Sequence, residues 1–160
     1  MMKPFFSLVL FCLVALGLSA QVRSTLAADA VAAPMKAGEK LSAKLTVAIE
    51  PGWHIASITQ ADGGPVRTEI ALADKQPFKL AGPIQGPKPR VEHSEAFGID
   101  VETHEGTVVF TLPLVATEDL SPDALKARPL AVDITYQACT DETCLLTKTE
   151  RISCEIETRS

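Results

Sequence analysis

The chain has 160 residues, 46% of them hydrophobic and 22% charged, with a formal net charge of −5. This length suits one domain around one core. The acidic balance argues against nucleic acid or an anionic membrane as partner, since both reward clustered Lys and Arg, and without a G-x-S-x-G, Walker or H-E-x-x-H motif hydrolase chemistry has no support.

Lys3 precedes an apolar run from Phe5 to Leu18, and small residues follow, including Ala28-Asp29-Ala30. That order is the pattern of a secretory signal, and the run falls short of the roughly 20 residues that cross a bilayer. Residues 1–30 are therefore expected to be a signal peptide, with a retained anchor as the alternative. Ala20, Ala27, Ala28, Ala30 and Ala32 compete as cut sites, and Phe11 before Cys12 does not fit a lipid-attachment signal. Removing residues 1–30 takes away Lys3, Arg23 and Asp29, so 15 basic residues become 13, 20 acidic residues become 19, and the net charge becomes −6. The expected product is periplasmic or otherwise exported, with no membrane span left. Of its cysteines Cys139, Cys144 and Cys154 remain, in a compartment where disulfides persist. Their odd number leaves a thiol over.

Residues 31–39 read as a loose mature N-terminus, and the ordered domain is expected over 40–160. Leu41, Ala43, Leu45, Val47 and Ile49 alternate with polar or small neighbours, the period of a half-buried strand. Pro51-Gly52 turns the chain, Trp53 to Thr59 reads as a second strand with Trp53 in the core, and Val66 to Leu72 as a third. The stretch Ala81 to Arg90 carries three prolines and two glycines and reads as an extended surface loop. Ile99 to Thr103 and Thr107 to Leu114 flank His104-Glu105-Gly106 and are expected to pair as a hairpin. Ser121-Pro122-Asp123 offers an N-cap, a proline at the first helical position and an early acid, enough for one or two turns before Pro129. Leu130 to Cys139 and Arg151 to Glu157 read as the last strands. Short strands, frequent turns and at most one short helix predict an all-β sandwich.

Chemistry concentrates near the C-terminus. Thr140-Asp141-Glu142-Thr143 separates Cys139 from Cys144 and suits a four-residue hairpin loop. Facing residues in an antiparallel ladder lie about 4.5–5.5 Å apart at Cα, and a disulfide wants about 4.4–6.8 Å. Cys139 is in step with Asp133, Thr135 and Gln137, so the pair is expected near solvent or in a groove; Cys154 is in step with Ile152 and Ile156 and is expected to be buried. Thiol exchange needs access to a sulfur, and a loop this short adds little entropic stabilisation. Those points favour exchange, while a local staple stays open. Two thiolates with His93 or His104 could also hold zinc or copper, although neither histidine has motif spacing to them. His54 reads as a structural histidine.

These residues resemble a known family, the N-terminal periplasmic domain of the thiol:disulfide interchange protein DsbD. The resemblance is carried by Pro51-Gly52-Trp53-His54-Ile55, Glu95-Ala96-Phe97-Gly98, and Tyr136-Gln137-Ala138-Cys139 followed by Cys144-Leu145, spread over about residues 40–156. It implies an immunoglobulin-like β-sandwich with the redox pair Cys139 and Cys144 on a hairpin, supported by Tyr136 and Gln137. It also implies an aromatic cap, matched by Phe97 with Glu95 beside it. Electrons would pass from a membrane or thioredoxin-like donor to exported thiol proteins, without a bound organic cofactor. Family members often carry two prolines after the second cysteine, where this chain has Leu145-Leu146-Thr147. No counterpart of the membrane and thioredoxin-like parts is found, so the donor is expected in trans. A non-catalytic immunoglobulin-like binding module with a structural Cys139–Cys144 disulfide is the alternative function.

Overall fold

The computed structural model describes residues 20–159, so most of the expected signal peptide lies outside the described residues. Strand β1 (Val22–Ala28) comes first, followed by β2 (Val31–Ala32). Both correct the expectation of a loose chain before Lys40. Val22, Val31 and Met35 are buried, and the amide of Val31 donates to the carbonyl of Glu157 while that of Met35 donates to Leu120. Side chains that join the core tie their backbone down, whatever the composition around them.

β3 (Lys40–Ile49) shows the expected alternation, with Leu45 and Val47 fully buried. β4 (His54–Ala56) is shorter than expected, and Trp53 before it is half-buried against the core. β5 (Glu69–Leu72), β6 (Phe78–Leu80) and β7 (Arg90–Ser94) follow, the last two unforeseen. β8 (Ile99–His104) and β9 (Thr107–Ala116) exist, but they do not form the expected hairpin. β9 pairs with β3, while β8 pairs with β4 and β7. At Gly106 the carbonyl accepts from the amide of Ile49, and the chain passes from one sheet to another. Gly106 holds φ at 66°, a left-handed conformation that suits glycine.

Helix α1 (Pro122–Ala127) is capped by Ser121, whose Oγ accepts from the amide of Ala124 at 3.1 Å. β10 (Leu130–Tyr136), β11 (Ala138–Cys139), β12 (Lys148–Cys154) and β13 (Thr158–Arg159) complete the order. One four-stranded sheet runs β1-β3-β9-β6, a second has the order β12-β10-β5, and a third β11-β4-β8-β7; β13 pairs parallel with β2. Leu45, Phe110 and Leu112 from the first sheet, Val132 and Ile134 from the second and Ile55 from the third meet in one apolar core. The architecture is an immunoglobulin-like all-β sandwich.

The expected single strand from Leu130 to Cys139 is interrupted at Gln137. Tyr136 still faces Lys148 on β12, whereas Ala138 and Cys139 face Ile55 and His54 on β4. The chain changes sheets there, as strands do at the corner of a sandwich. This switch places the cysteine-bearing segment in the same sheet as β7 and β8.

Candidate functional site

Cys139 and Cys144 are joined by a disulfide, with Cα atoms 4.0 Å apart and a sequence separation of 5. The hairpin around them closes through local chemistry. The amide of Thr140 donates to the carbonyl of Thr143 at 2.7 Å, and the Oγ1 of Thr140 accepts from the amides of Glu142 and Thr143. Below the cysteines the amide of Leu145 donates to Ala138, and Gln137 Nε2 donates to the carbonyl of Leu145 at 2.9 Å. Gln137 thus holds the base of the hairpin.

The two sulfurs do not share an environment. Cys139 is only 5% exposed, whereas Cys144 lies exposed. The burial of Cys139 corrects its placement on the polar face. The strand switch at Gln137 breaks the alternation, so Ala138 and Cys139 are buried in succession. Among the described residues Cys154 is the free thiol; it is half-buried rather than fully buried. Burial pushes its thiol pKa up, opposed by a backbone hydrogen bond at Ala28.

The disulfide lies in a groove of about 700 Å³ that runs across the third sheet, where His54, Arg90, Thr103 and Phe97 also contribute to the wall. Glu95 to Gly98 form the tip of the β7–β8 hairpin, closed by the amide of Gly98 donating to Ser94 at 2.7 Å. Phe97 is 49% exposed on that tip, so it is not a core residue. Glu95 is exposed beside it and does not line the groove. Tyr136 is buried behind the hairpin, and its hydroxyl is pushed up to about 12, first by burial and then by Glu150.

Arg90, Glu92 and Glu105 also line the groove and were not foreseen. Arg90 bonds to Glu92 and pairs with Glu105 at 3.7 Å. These acids, with Asp141 beyond them, hold its guanidinium above its ordinary range. Nothing in the sequence pairs Arg90 with a sheet, because the prolines before it mask the strand. His93 bonds Asp100 across the hairpin, and His104 is buried edge-on to Phe110, so neither is grouped with the cysteines as a metal site. Among the described residues no group of three His, Cys, Asp or Glu side chains is placed to hold a metal ion, and no helix is long and apolar enough to cross a membrane.

No curated protein matches the chain. Among solved structures, the N-terminal periplasmic domain of ScsB from Proteus mirabilis shares the fold, with a TM-score of 0.58 at 18% identity. That match covers 86% of this chain and 47% of the other, so this chain spans about half of that structure. The N-terminal domain of DsbD from Neisseria meningitidis in its reduced form aligns at 12% identity with a TM-score of 0.48, over 78% of this chain and 81% of that one. The family described as "Thiol:disulfide interchange protein DsbD, N-terminal" matches residues 22–156. From the first residues of β1 to the last core side chain, Ile156, this chain belongs to that family of thiol–disulfide interchange domains.

Proposed function

We propose that the protein is an exported, periplasmic exchange domain that passes electrons from a membrane or thioredoxin-like donor to other exported thiol proteins. The observation that carries this is the exposed Cys144, bonded to the buried Cys139, with both lining one groove. Exchange proceeds by in-line attack of a thiolate on a disulfide sulfur. A donor thiolate attacks Cys144 Sγ, the Cys139–Cys144 bond breaks, and its electron pair leaves on Cys139. The donor's second thiol then attacks the mixed disulfide, which leaves the donor oxidised and both cysteines reduced. In the forward transfer the Cys144 thiolate attacks an acceptor disulfide, and Cys139 resolves the mixed disulfide by re-forming the bond. Phe97 shields the sulfurs between encounters, and Glu95 flanks the shield. Tyr136 and Gln137 hold the hairpin.

Single-cysteine variants test this division of labour. Cys139→Ala, which leaves Cys144, should form a mixed disulfide with glutathione disulfide rapidly, and Cys144→Ala at least tenfold more slowly, because glutathione has little access to the buried Cys139 sulfur. Equal rates, or no adduct with either, would contradict the proposal.

A further inference from the structure

We propose that His54 is the proton partner of Cys139, holding that thiol as a thiolate whenever the disulfide is open. This rests on the exchange function above and adds to it a residue that sets the reactivity of the pair. His54 and Cys139 are directly opposed on antiparallel strands. Opposed residues point to the same face of a sheet with Cβ atoms about 4.5–5.5 Å apart, and both side chains line the groove.

The charges around them make a base necessary. Glu92, Glu105, Asp141 and Glu142 line the same groove, and negative neighbours together with burial oppose a thiolate. Arg90 is occupied by Glu92 and Glu105, and His93 by Asp100. Among the described residues His54 is the one basic side chain lining the groove that has no ion-pair partner. Imidazole both accepts and returns a proton near neutral pH. When a donor thiolate attacks Cys144, the electron pair that leaves on Cys139 is stabilised by the imidazolium of His54. When Cys139 must close the bond again, neutral His54 takes its proton, and the resulting thiolate attacks the mixed disulfide. The proton moves between Sγ and the ring, and the electrons move only between sulfurs.

The thiolate absorbance of Cys139, measured against pH in a Cys144→Ser, Cys154→Ser chain and corrected with the chain that also lacks Cys139, tests the proposal. With His54 present, the inflection should lie below the ordinary thiol value of about 8.5. His54→Gln should raise it by about one pH unit, a tenfold loss of thiolate at neutral pH, and His54→Lys, which restores a cation, should reverse most of that rise. In the chain with all cysteines, His54→Gln should slow reduction of the disulfide by glutathione several-fold, because a leaving thiol of higher pKa departs more slowly. An inflection at the ordinary value in the presence of His54, or one that His54→Gln does not move, overturns the proposal. If the glutathione couple still exchanges, the proposed function survives that loss. A wild-type disulfide that glutathione never reduces defeats the exchange function instead, and the Cys139 inflection still decides the role of His54.

Discussion

Cys139 and Cys144 share one covalent bond but not one environment: Cys139 is 5% exposed and Cys144 is exposed, on the wall of a groove that Phe97 also lines. That asymmetry gives an incoming thiolate one sulfur to attack and the leaving pair a protected place to reside. Access to the bond, rather than its existence, is then the property that the surrounding residues regulate.

Phe97→Ala should expose this control. Removing a core phenylalanine costs about 3–5 kcal/mol, but Phe97 is half exposed on a hairpin tip, so the stability loss should stay below about 1 kcal/mol. Reduction of the disulfide by dithiothreitol should become several-fold faster. Thermal unfolding and reduction rate, measured on the same preparations, check both. A rate unchanged from wild type would remove the shield.

The cysteines should be distinguishable by alkylation. In the oxidised protein only Cys154 should label, and slowly, because burial raises its pKa and leaves little thiolate at neutral pH. Unfolding should accelerate that labelling at least tenfold. Peptide mapping that found a Cys144–Cys154 bridge, or rapid native labelling of Cys154, would contradict the arrangement.

The mature N-terminus should fall at or before Val22, most simply at Gln21. A cut after Ala30 would discard β1, whose Val22 and Leu26 are buried against the core. Burying an aliphatic side chain is worth about 1.5–3 kcal/mol, so a chain starting at Val31 should unfold several degrees lower. Intact-mass measurement on periplasmic material reads the start directly; a start beyond Val22, or an uncleaved chain in the membrane fraction, would contradict this.

Tyr136, the only tyrosine in the chain, gives a pH signature. Its folded pKa of about 12 lies above the ordinary 10.0. Between these values the unfolded chain releases a proton that the folded chain keeps, so stability falls as pH rises through that window. The loss should amount to roughly 1–2 kcal/mol and should vanish in Tyr136→Phe. Tyrosinate absorbance and urea unfolding followed by the fluorescence of Trp53 check it; an inflection near 10 in the folded protein would contradict it.

Features that depend on local chemistry were legible in the sequence. Ser121-Pro122-Asp123 caps and starts α1 without help from elsewhere, and Thr140 closes the four-residue loop through its own backbone and hydroxyl. What depended on distant partners was not. Glu105-Gly106 looks like a hairpin turn from its neighbours alone, yet β8 and β9 find their partners in different sheets. β7 is exposed along nearly its whole length, so it carries no apolar period, and the prolines before it hide its start. The burial of Cys139 follows from a change of sheet at Gln137 that an unbroken alternating pattern conceals. His54 looked structural because its register against Cys139 exists only once β4 and β11 have paired.

The reduction potential of the Cys139–Cys144 disulfide in the purified wild-type protein separates an exchange-active bond from a structural one. Structural disulfides of exported proteins typically lie below about −300 mV, and exchange-active ones are more oxidising. Titration against a glutathione or dithiothreitol buffer should place this bond above about −300 mV, with reduction complete and reversible while the fold stays intact. A potential below about −300 mV, or reduction only on unfolding, would make the bond a staple and the protein a binding module.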